Sequence, residues 1–487
     1  METSKHGLAF ATIKELRAKI DSKEISPKEL LAYFGQRFAE YDPEVQSALE
    51  LFDESSVLDA SEKKGILYGI PGLIKDNISQ ADRTTACASL MLEKFKAVYD
   101  STVVARLKQE GALPMGRANC DEFAMGSSGE TSAFCKTKNP WDLSRVPGGS
   151  SSGSAACVAA GLVPWALGTS TGGSVRLPAA YCGVVGSKPT YGLVSRYGLV
   201  AYGSSLDQAG VVTRTVYDNA LVYSAIAGHD PKDSTSLPVA PKDYTRSLDG
   251  ALPKGLRIGV IENALHAPGM DGEVVEAIEN AIKVLESLGA TIKRINLSTI
   301  DYSAATYFII SRAELASNLA RYDGVRYGLR DKKAHTLQEM YFNTRHDGFG
   351  QEVKTRILVG NYVLSAGYAD AFYNKAVKVR NMMRKEFLDA FKDVDVMVMP
   401  VHPAPAFKFG AFDADKLQMD LLDFFTCSAN LVGVPALSVP CGMSKDKLPI
   451  GFQFVGPDLS EELLFKVGHA YEQATQWHKL YPERYKD

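Results

Sequence analysis

From about residue 66 to 215 the chain sets short apolar runs, such as YGIPGLI and LVPWALGT, between turns rich in glycine, serine and alanine. That alternation reads as short buried strands joined by tight turns, the pattern expected where backbone must approach a ligand closely. The residues before it, about 1–65, carry helical periodicity. Ser26-Pro27 ahead of KELLAYFGQRF supplies a helix cap and a first-turn proline. After it, about 256–487, LRIGVI, DGEVVEAIENAIKVLESLG, TIKRINL and DVDVMVMP repeat a strand and helix rhythm, which predicts an α/β fold around a largely buried sheet. The polar, proline-bearing segment 229–255 is a surface excursion or a linker. Pattern alone leaves open whether it divides two domains or decorates one.

Composition excludes several classes. The N-terminal METSKHGLAFATIKELRAKI interleaves charged with apolar residues, as an amphipathic helix does and a signal peptide does not. No run approaches the roughly 20 apolar residues that span a bilayer, so neither membrane insertion nor export is expected and the setting is read as cytoplasmic. Seven cysteines, widely spaced and never as C-x-x-C, read as reduced core thiols and not as disulfides or a zinc site. A formal charge of -3 gives no basic field for a polyanion, so any nucleic acid would be held mainly by another chain. The densest basic stretch, KAVKVRNMMRK at 375–385, is spaced as one helix face, solvated or phosphate-binding.

No histidine lies between His6 and His229, so the glycine-serine zone lacks the usual general base. The one G-x-S-x-G match, Gly149 to Gly153, would make Ser151 a nucleophile, but a loop and not a strand precedes it. A second cluster, Gly168 to Ser174, does follow a strand-like run. There the backbone N–H groups of Thr171, Gly172, Gly173 and Ser174 can converge on a developing oxyanion beside the Ser174 hydroxyl. The competing reading is a tight turn with Ser174 as a helix cap. Lys75 ends the apolar run Gly69 to Ile74. Buried, it loses its proton readily and serves as a base; at a strand end it also suits snorkelling or pairing with Asp76 or Asp82.

The strings GIPGLIKDNI, VPGGSSSGSAA, GTSTGGSVRLPAAYCGVVGSKPTYG and SRYGLVAYGSSLDQAG, in this order and spacing, resemble the amidase signature family. The resemblance implies a single domain over 1–487, a mixed β-sheet covered by helices on both faces, with no metal or organic cofactor in this chain. It sets Lys75, Ser150 and Ser174 on the family's triad, with Ser150 beside a cis peptide. Ser174 then attacks an amide carbonyl, and its proton passes through the Ser150 hydroxyl to neutral Lys75.

Other strings, among them NCDEFAMGSSGETSAF, LASNLARYDGVRYG and EMYFNTRHDGFGQEVKTRILVGNYVLS, are similar to the branch of that family that serves as glutaminase subunits of tRNA-dependent amidotransferases. That likeness implies glutamine as substrate, Arg356 and Asp423 holding its α-carboxylate and α-amino groups, and Tyr307 nearby. It also implies B-type and C-type partner subunits in a heterotrimer, with tRNA, ATP and Mg handled mainly by the partner. The alternative is a stand-alone amidase acting on small carboxamides. Against the family pattern, Ser170 stands for a usual aspartate, Ser152 for glycine, Leu177 for glutamine and Ser187 for a bulky apolar residue. Ala209, Val211 and Ser428 replace isoleucine, proline and proline. These changes spare the triad. Ser170 is expected to remove a charge that orients the oxyanion turn, and Ser152 to add a Cβ where the backbone needs freedom.

Overall fold

The computed structural model describes residues 7–415, 419 and 422–486; His6 and the first residues of the expected N-terminal helix lie outside them. The apolar runs form eleven strands: β1 Ala48–Leu51, β2 Pro71–Lys75, β3 Leu113–Ala118, β4 Trp165–Ser170, β5 Val185–Lys188, β6 Gln208–Thr213, β7 Arg257–Ile261, β8 Thr291–Ile295, β9 Val396–Pro400, β10 Ala436–Met443 and β11 Pro449–Val455. They join one sheet in the order β1-β3-β2-β4-β6-β5-β10-β11-β9-β7-β8. The sheet is mixed. Strand β2 runs parallel to β3 and β4, and β7 parallel to β8 and β9. Strands β4, β6, β5, β10, β11 and β9 are antiparallel in succession. The strands on either side of the 229–255 segment, β6 and β7, therefore belong to the same sheet. That segment is tied down where Asp230 accepts from Thr102 and Ser195 and Asp233 pairs with Arg196.

Both faces of the sheet are covered, and the two-residue period of a strand divides the side chains between them. In β9, Val396 and Val398 enter one core while Met397 and Met399 enter the other. The first core gathers the helices Ile13–Asp21, Pro27–Val45, Gly272–Ser287 and Glu461–Thr475. The second gathers Ser303–Asn318, Tyr373–Ala390 and Phe424–Val432. Ser26 and Glu29 form a full capping box at the start of Pro27–Val45, with Pro27 in its first turn. The N-terminal zone is not purely helical, however, because β1 leaves it to pair with β3 at the sheet edge. In the basic stretch, Arg380 and Arg384 donate to the carbonyls of Leu431 and Val432, so two of its five cations complete the C-terminus of a neighbouring helix.

Among the described residues no helix is long and apolar enough to cross a membrane. All seven cysteines are free, six of them buried.

The close approach of β2 to β4 rests on Gly72. It pairs with Trp165, and a Cβ at position 72 would lie 2.1 Å from the indole Cε2. Because the ring is fully buried and has nowhere to move, Gly72→Ala should cost about 1–3 kcal/mol. A lowered unfolding midpoint against wild type would register the loss; an unchanged midpoint would show that the strands can separate freely.

Candidate active site

Parallel pairing sets the C-terminal ends of β2 and β4 at the same edge of the sheet, where α/β folds place their ligand crevices. Lys75 is the last residue of β2, and Thr171 to Ser174 follow the last residue of β4. The Lys75 side chain is fully buried. Its Nζ lies 2.7 Å from Ser150 Oγ, 3.1 Å from Ser151 Oγ and 3.4 Å from the Thr169 carbonyl. No carboxylate pairs with it among the described residues: Asp76 instead pairs with Arg117 at 2.6 Å. Burial pushes the Lys75 pKa down to about 8, against a partial upward pull from Cys120, Asp121, Asp207 and Cys87. The snorkelling and Asp76-pairing alternatives are thereby removed.

The peptide bond from Gly149 to Ser150 is cis. The loop that carries it is held by Asp121, whose backbone N–H donates to the Ser150 carbonyl at 3.1 Å. The Asp121 carboxylate accepts from the amides of Gly129 and Thr131, each at 3.0 Å, and from the Thr131 hydroxyl at 2.9 Å. A second tie joins the two serine segments: Ser151 N donates to the Ser174 carbonyl at 3.0 Å. The hydroxyls of Ser150 and Ser174 form no direct hydrogen bond in this state. Ser151, the serine of the G-x-S-x-G match, is consumed structurally, since its Oγ accepts from Lys75 Nζ and Thr169 N and donates to the Thr169 carbonyl. Among the described residues no strand leads directly into it.

Ser174 does not cap the helix that follows. That helix, Arg176–Cys182, begins after Val175 and has no side-chain cap. Among the described residues the N–H groups of Thr171, Gly172, Gly173 and Ser174 donate to no protein acceptor, so four backbone donors cluster unengaged beside the Ser174 side chain. Glycine is required in this turn by its neighbours. A Cβ at 172 would lie 2.5 Å from Tyr307 Cζ, and one at 173 would lie 2.0 Å from Thr426 Oγ1 and 3.3 Å from Asp423 Oδ1. Tyr307 and Asp423 thus sit against the turn.

Arg356 and Asp423 are buried, at 5% and 8% exposure, which is not the state of surface helix charges. Arg356 donates from Nε to Glu352 at 2.7 Å and from Nη1 to the Tyr202 hydroxyl at 2.8 Å. Tyr202 also lies beside Tyr307, whose phenol is raised well above its ordinary pKa, chiefly by burial. Ser127 donates to Asp423 Oδ2 at 3.0 Å. Ser127, Thr169, Tyr202 and Glu352 lie in strings that resemble the family but had no role attached, and Thr426 lies outside them. Asp121 lies in a string that resembles the family, but with no role attached.

The structure bears on two of the unusual residues. Ser152 lies in the helix Ser152–Ala159 without a positive φ, so its Cβ imposes no backbone strain. Near Ser170 the turn is supported without a carboxylate: Asn430 donates to the Ser170 carbonyl at 3.3 Å, and the buried Arg176 donates to the Thr426 carbonyl at 2.9 Å, to Asn430 Oδ1 at 2.5 Å and to Gln453.

The Lys75 environment has a consequence for stability. An amine at about 8 in the folded chain, against 10.5 as its ordinary value, leaves the unfolded chain binding more protons between those two pH values. Stability therefore rises with pH across that window, by about 3 kcal/mol in all. Comparing denaturant unfolding of wild type and Lys75→Met at pH 8 and pH 10 should show the difference shifting in favour of wild type. A pH-independent difference would mean that Lys75 titrates normally.

The amidase family model matches residues 29–465. The chain is 50% identical over 482 residues to the A-type subunit of the glutamyl-tRNA(Gln) amidotransferase of Gloeobacter violaceus, covering 97% of this chain and 98% of that one. It is also 50% identical over 480 residues to the protein of the same name from Bacillus licheniformis, with 97% and 98% covered. Among solved structures, the A-type subunit from Thermotoga maritima superposes with a TM-score of 0.82 at 42% identity, over 96% of this chain and 95% of that one. With the matched segment spanning β2, β4 and every residue of the crevice described above, the chain belongs to the amidase family.

Proposed function

We propose that this chain is the glutamine-hydrolysing subunit of a glutamyl-tRNA(Gln) amidotransferase. The observation that carries the chemistry is the buried Lys75 amine at 2.7 Å from the Ser150 hydroxyl, with no histidine hydrogen-bonded to Lys75, Ser150 or Ser174 among the described residues. An amine with a pKa of about 8 is neutral in an appreciable fraction near neutral pH, so it can take a proton that an ordinary lysine cannot. A hydroxyl both donates and accepts, which lets Ser150 pass the proton onward.

Ser174 Oγ attacks the side-chain amide carbon of glutamine. Its proton moves through Ser150 to Lys75, and the four unengaged N–H groups of the turn receive the oxyanion. Collapse breaks the C–N bond, the relayed proton returns to the nitrogen, and ammonia leaves. Water then hydrolyses the acyl ester on Ser174 by the reverse relay, giving glutamate. For this the Ser150 and Ser174 hydroxyls come within hydrogen-bond reach of each other, as catalytic hydrogen bonds do when they tighten with substrate present.

Substrate choice follows from the charged groups beside the turn. Arg356 grips the α-carboxylate of free glutamine by exchanging part of its hold on Glu352 and Tyr202, Asp423 takes the α-ammonium, and Tyr307 walls the turn between them. The ammonia serves a B-type partner that uses ATP and Mg to activate glutamyl-tRNA, with a C-type subunit completing a cytoplasmic heterotrimer. The near full-length likeness to A-type subunits of such amidotransferases, and a net charge of -3 that leaves tRNA to a partner, support this reading.

Glutaminase activity should vanish in Ser174→Ala with the fold retained. Wild-type activity should rise with pH through an ionisation near 8, and Lys75→Arg should be nearly inactive, because a guanidinium cannot shed its proton in this range. Substantial turnover by the arginine variant, measured as ammonia release under saturating glutamine, would reduce Lys75 to a fixed charge and end the relay. Arg356→Ala should weaken glutamine by about 2–4 kcal/mol while sparing a simple amide that lacks α-groups. Equal losses on both amides would assign Arg356 another role.

A further inference from the structure

Asp207 takes no part in the chemistry above, yet it occupies the junction between the two halves of the crevice. Antiparallel pairing of β4 with β6 sets Ser170 opposite Gln208, so the residue before β6 falls beside the residue after β4. Asp207 Oδ1 accepts from the Thr171 hydroxyl at 2.6 Å, and Oδ2 accepts from the Tyr202 backbone N–H at 2.7 Å. Tyr202 in turn receives Arg356 and meets Tyr307, and the Tyr307 ring lies against Gly172. The contacts close a ring through Asp207, Thr171, Gly172, Tyr307 and Tyr202. Within it, one carboxylate touches both the oxyanion turn and the residue that braces Arg356.

A buried carboxylate is costly without a cation, and among the described residues no lysine or arginine forms an ion pair with Asp207. In direct contact its charge is met by hydrogen bonds, with Lys75 and Arg196 acting only at longer range, and burial raises its pKa to about 6. Retaining so costly a group where a neutral side chain would pack implies that its two acceptors are used.

We propose that Asp207 is a positioning residue that couples the oxyanion turn to the glutamine clamp, one carboxylate oxygen fixing Thr171 and the other fixing Tyr202. This rests on the glutaminase reading. Movement of Thr171 displaces the backbone donors that follow it, which affects the reaction barrier. Movement of Tyr202 frees Arg356 toward Glu352, which affects glutamine binding. Asparagine can preserve both bonds, with its oxygen on the Tyr202 amide and its NH₂ donating to a reversed Thr171 hydroxyl. Alanine preserves neither, and Thr171→Val removes one of the two.

The test uses the chain co-expressed with its B-type and C-type partners, reading kcat and KM for glutamine together with the rate at which a fluorophosphonate probe labels Ser174. Thr171→Val should lower kcat and labelling by about tenfold with KM nearly unchanged. Asp207→Ala should lower kcat at least as far and also raise KM by about tenfold. Asp207→Asn should restore both to within about threefold of wild type. The Asp207→Ala/Thr171→Val double variant should lose no further kcat, because both changes cut the same tie. Wild-type constants in Asp207→Ala, additive losses in the double variant, or an asparagine variant as impaired as alanine would overturn the coupling. If Asp207→Ala does not fold, unchanged kcat in Thr171→Val overturns it equally. A wild-type complex that labels at Ser174 but hydrolyses no glutamine would refute the glutaminase reading instead, and the order of labelling rates would then decide the role of Asp207.

Discussion

The active-site crevice depends on an amine held away from water. Lys75 is placed there by a strand whose every residue is buried, and the end of that strand falls among Ser150, Ser151 and Thr169, which supply hydrogen-bond partners but no charge. A carboxylate in direct contact would stabilise the ammonium and cancel the loss of basicity that burial produces. Arg117 prevents this by engaging Asp76, the nearest carboxylate in sequence, and Asp121 is occupied by the amides of the loop it organises. The electrostatics of the site are thus arranged largely by keeping acids busy elsewhere.

The same economy of charge runs through the support of the turn. Arg176 is completely buried, and its guanidinium is answered by a carbonyl and two side-chain amides, with burial pushing its pKa down to about 9. Asn430 links this guanidinium to Ser170 and so to the end of β4. The position where the family pattern has an aspartate is therefore served in this chain by Asn430, itself held by the Arg176 guanidinium. The turn itself is kept narrow by Tyr307 on one side and Thr426 with Asp423 on the other, which leaves room for glycine alone at 172 and 173. Rigidity of this kind aims donors before the reaction begins, where their reorganisation would otherwise add to the barrier.

Much of this was legible in the sequence because it is local. The apolar runs ending at Lys75 and Ser170, the cap at Ser26-Pro27, the strand and helix rhythm after residue 256 and the unusual glycine-serine strings each declare themselves within a few residues. Those strings also carried the family resemblance, and with it Lys75, Ser150, Ser174 and the more distant Tyr307, Arg356 and Asp423. What local pattern left open was whether Lys75 is buried or snorkels, whether Ser174 is a cap, and whether Arg356 and Asp423 are surface charges. Each question concerns solvent exposure, which periodicity constrains weakly for a single polar residue.

Tertiary structure decided those questions, because exposure and partnership depend on segments far apart in the chain. Parallel pairing of β2 with β4 brings residues 75 and 171–174 to one edge, and segments some 130 to 250 positions further on bring Tyr307, Asp423 and Thr426 against the turn and Arg356 to Tyr202. Asp121, Asp207 and Tyr202 acquire their roles only through such contacts, since the strings that hold them mark a family resemblance but not which side chain each one meets. Sequence alone determined which groups are available for chemistry, because side-chain identity and local spacing are covalent facts. The fold decided which of them lose water and face one another, because desolvation and hydrogen-bond geometry exist only once the sheet has closed around them.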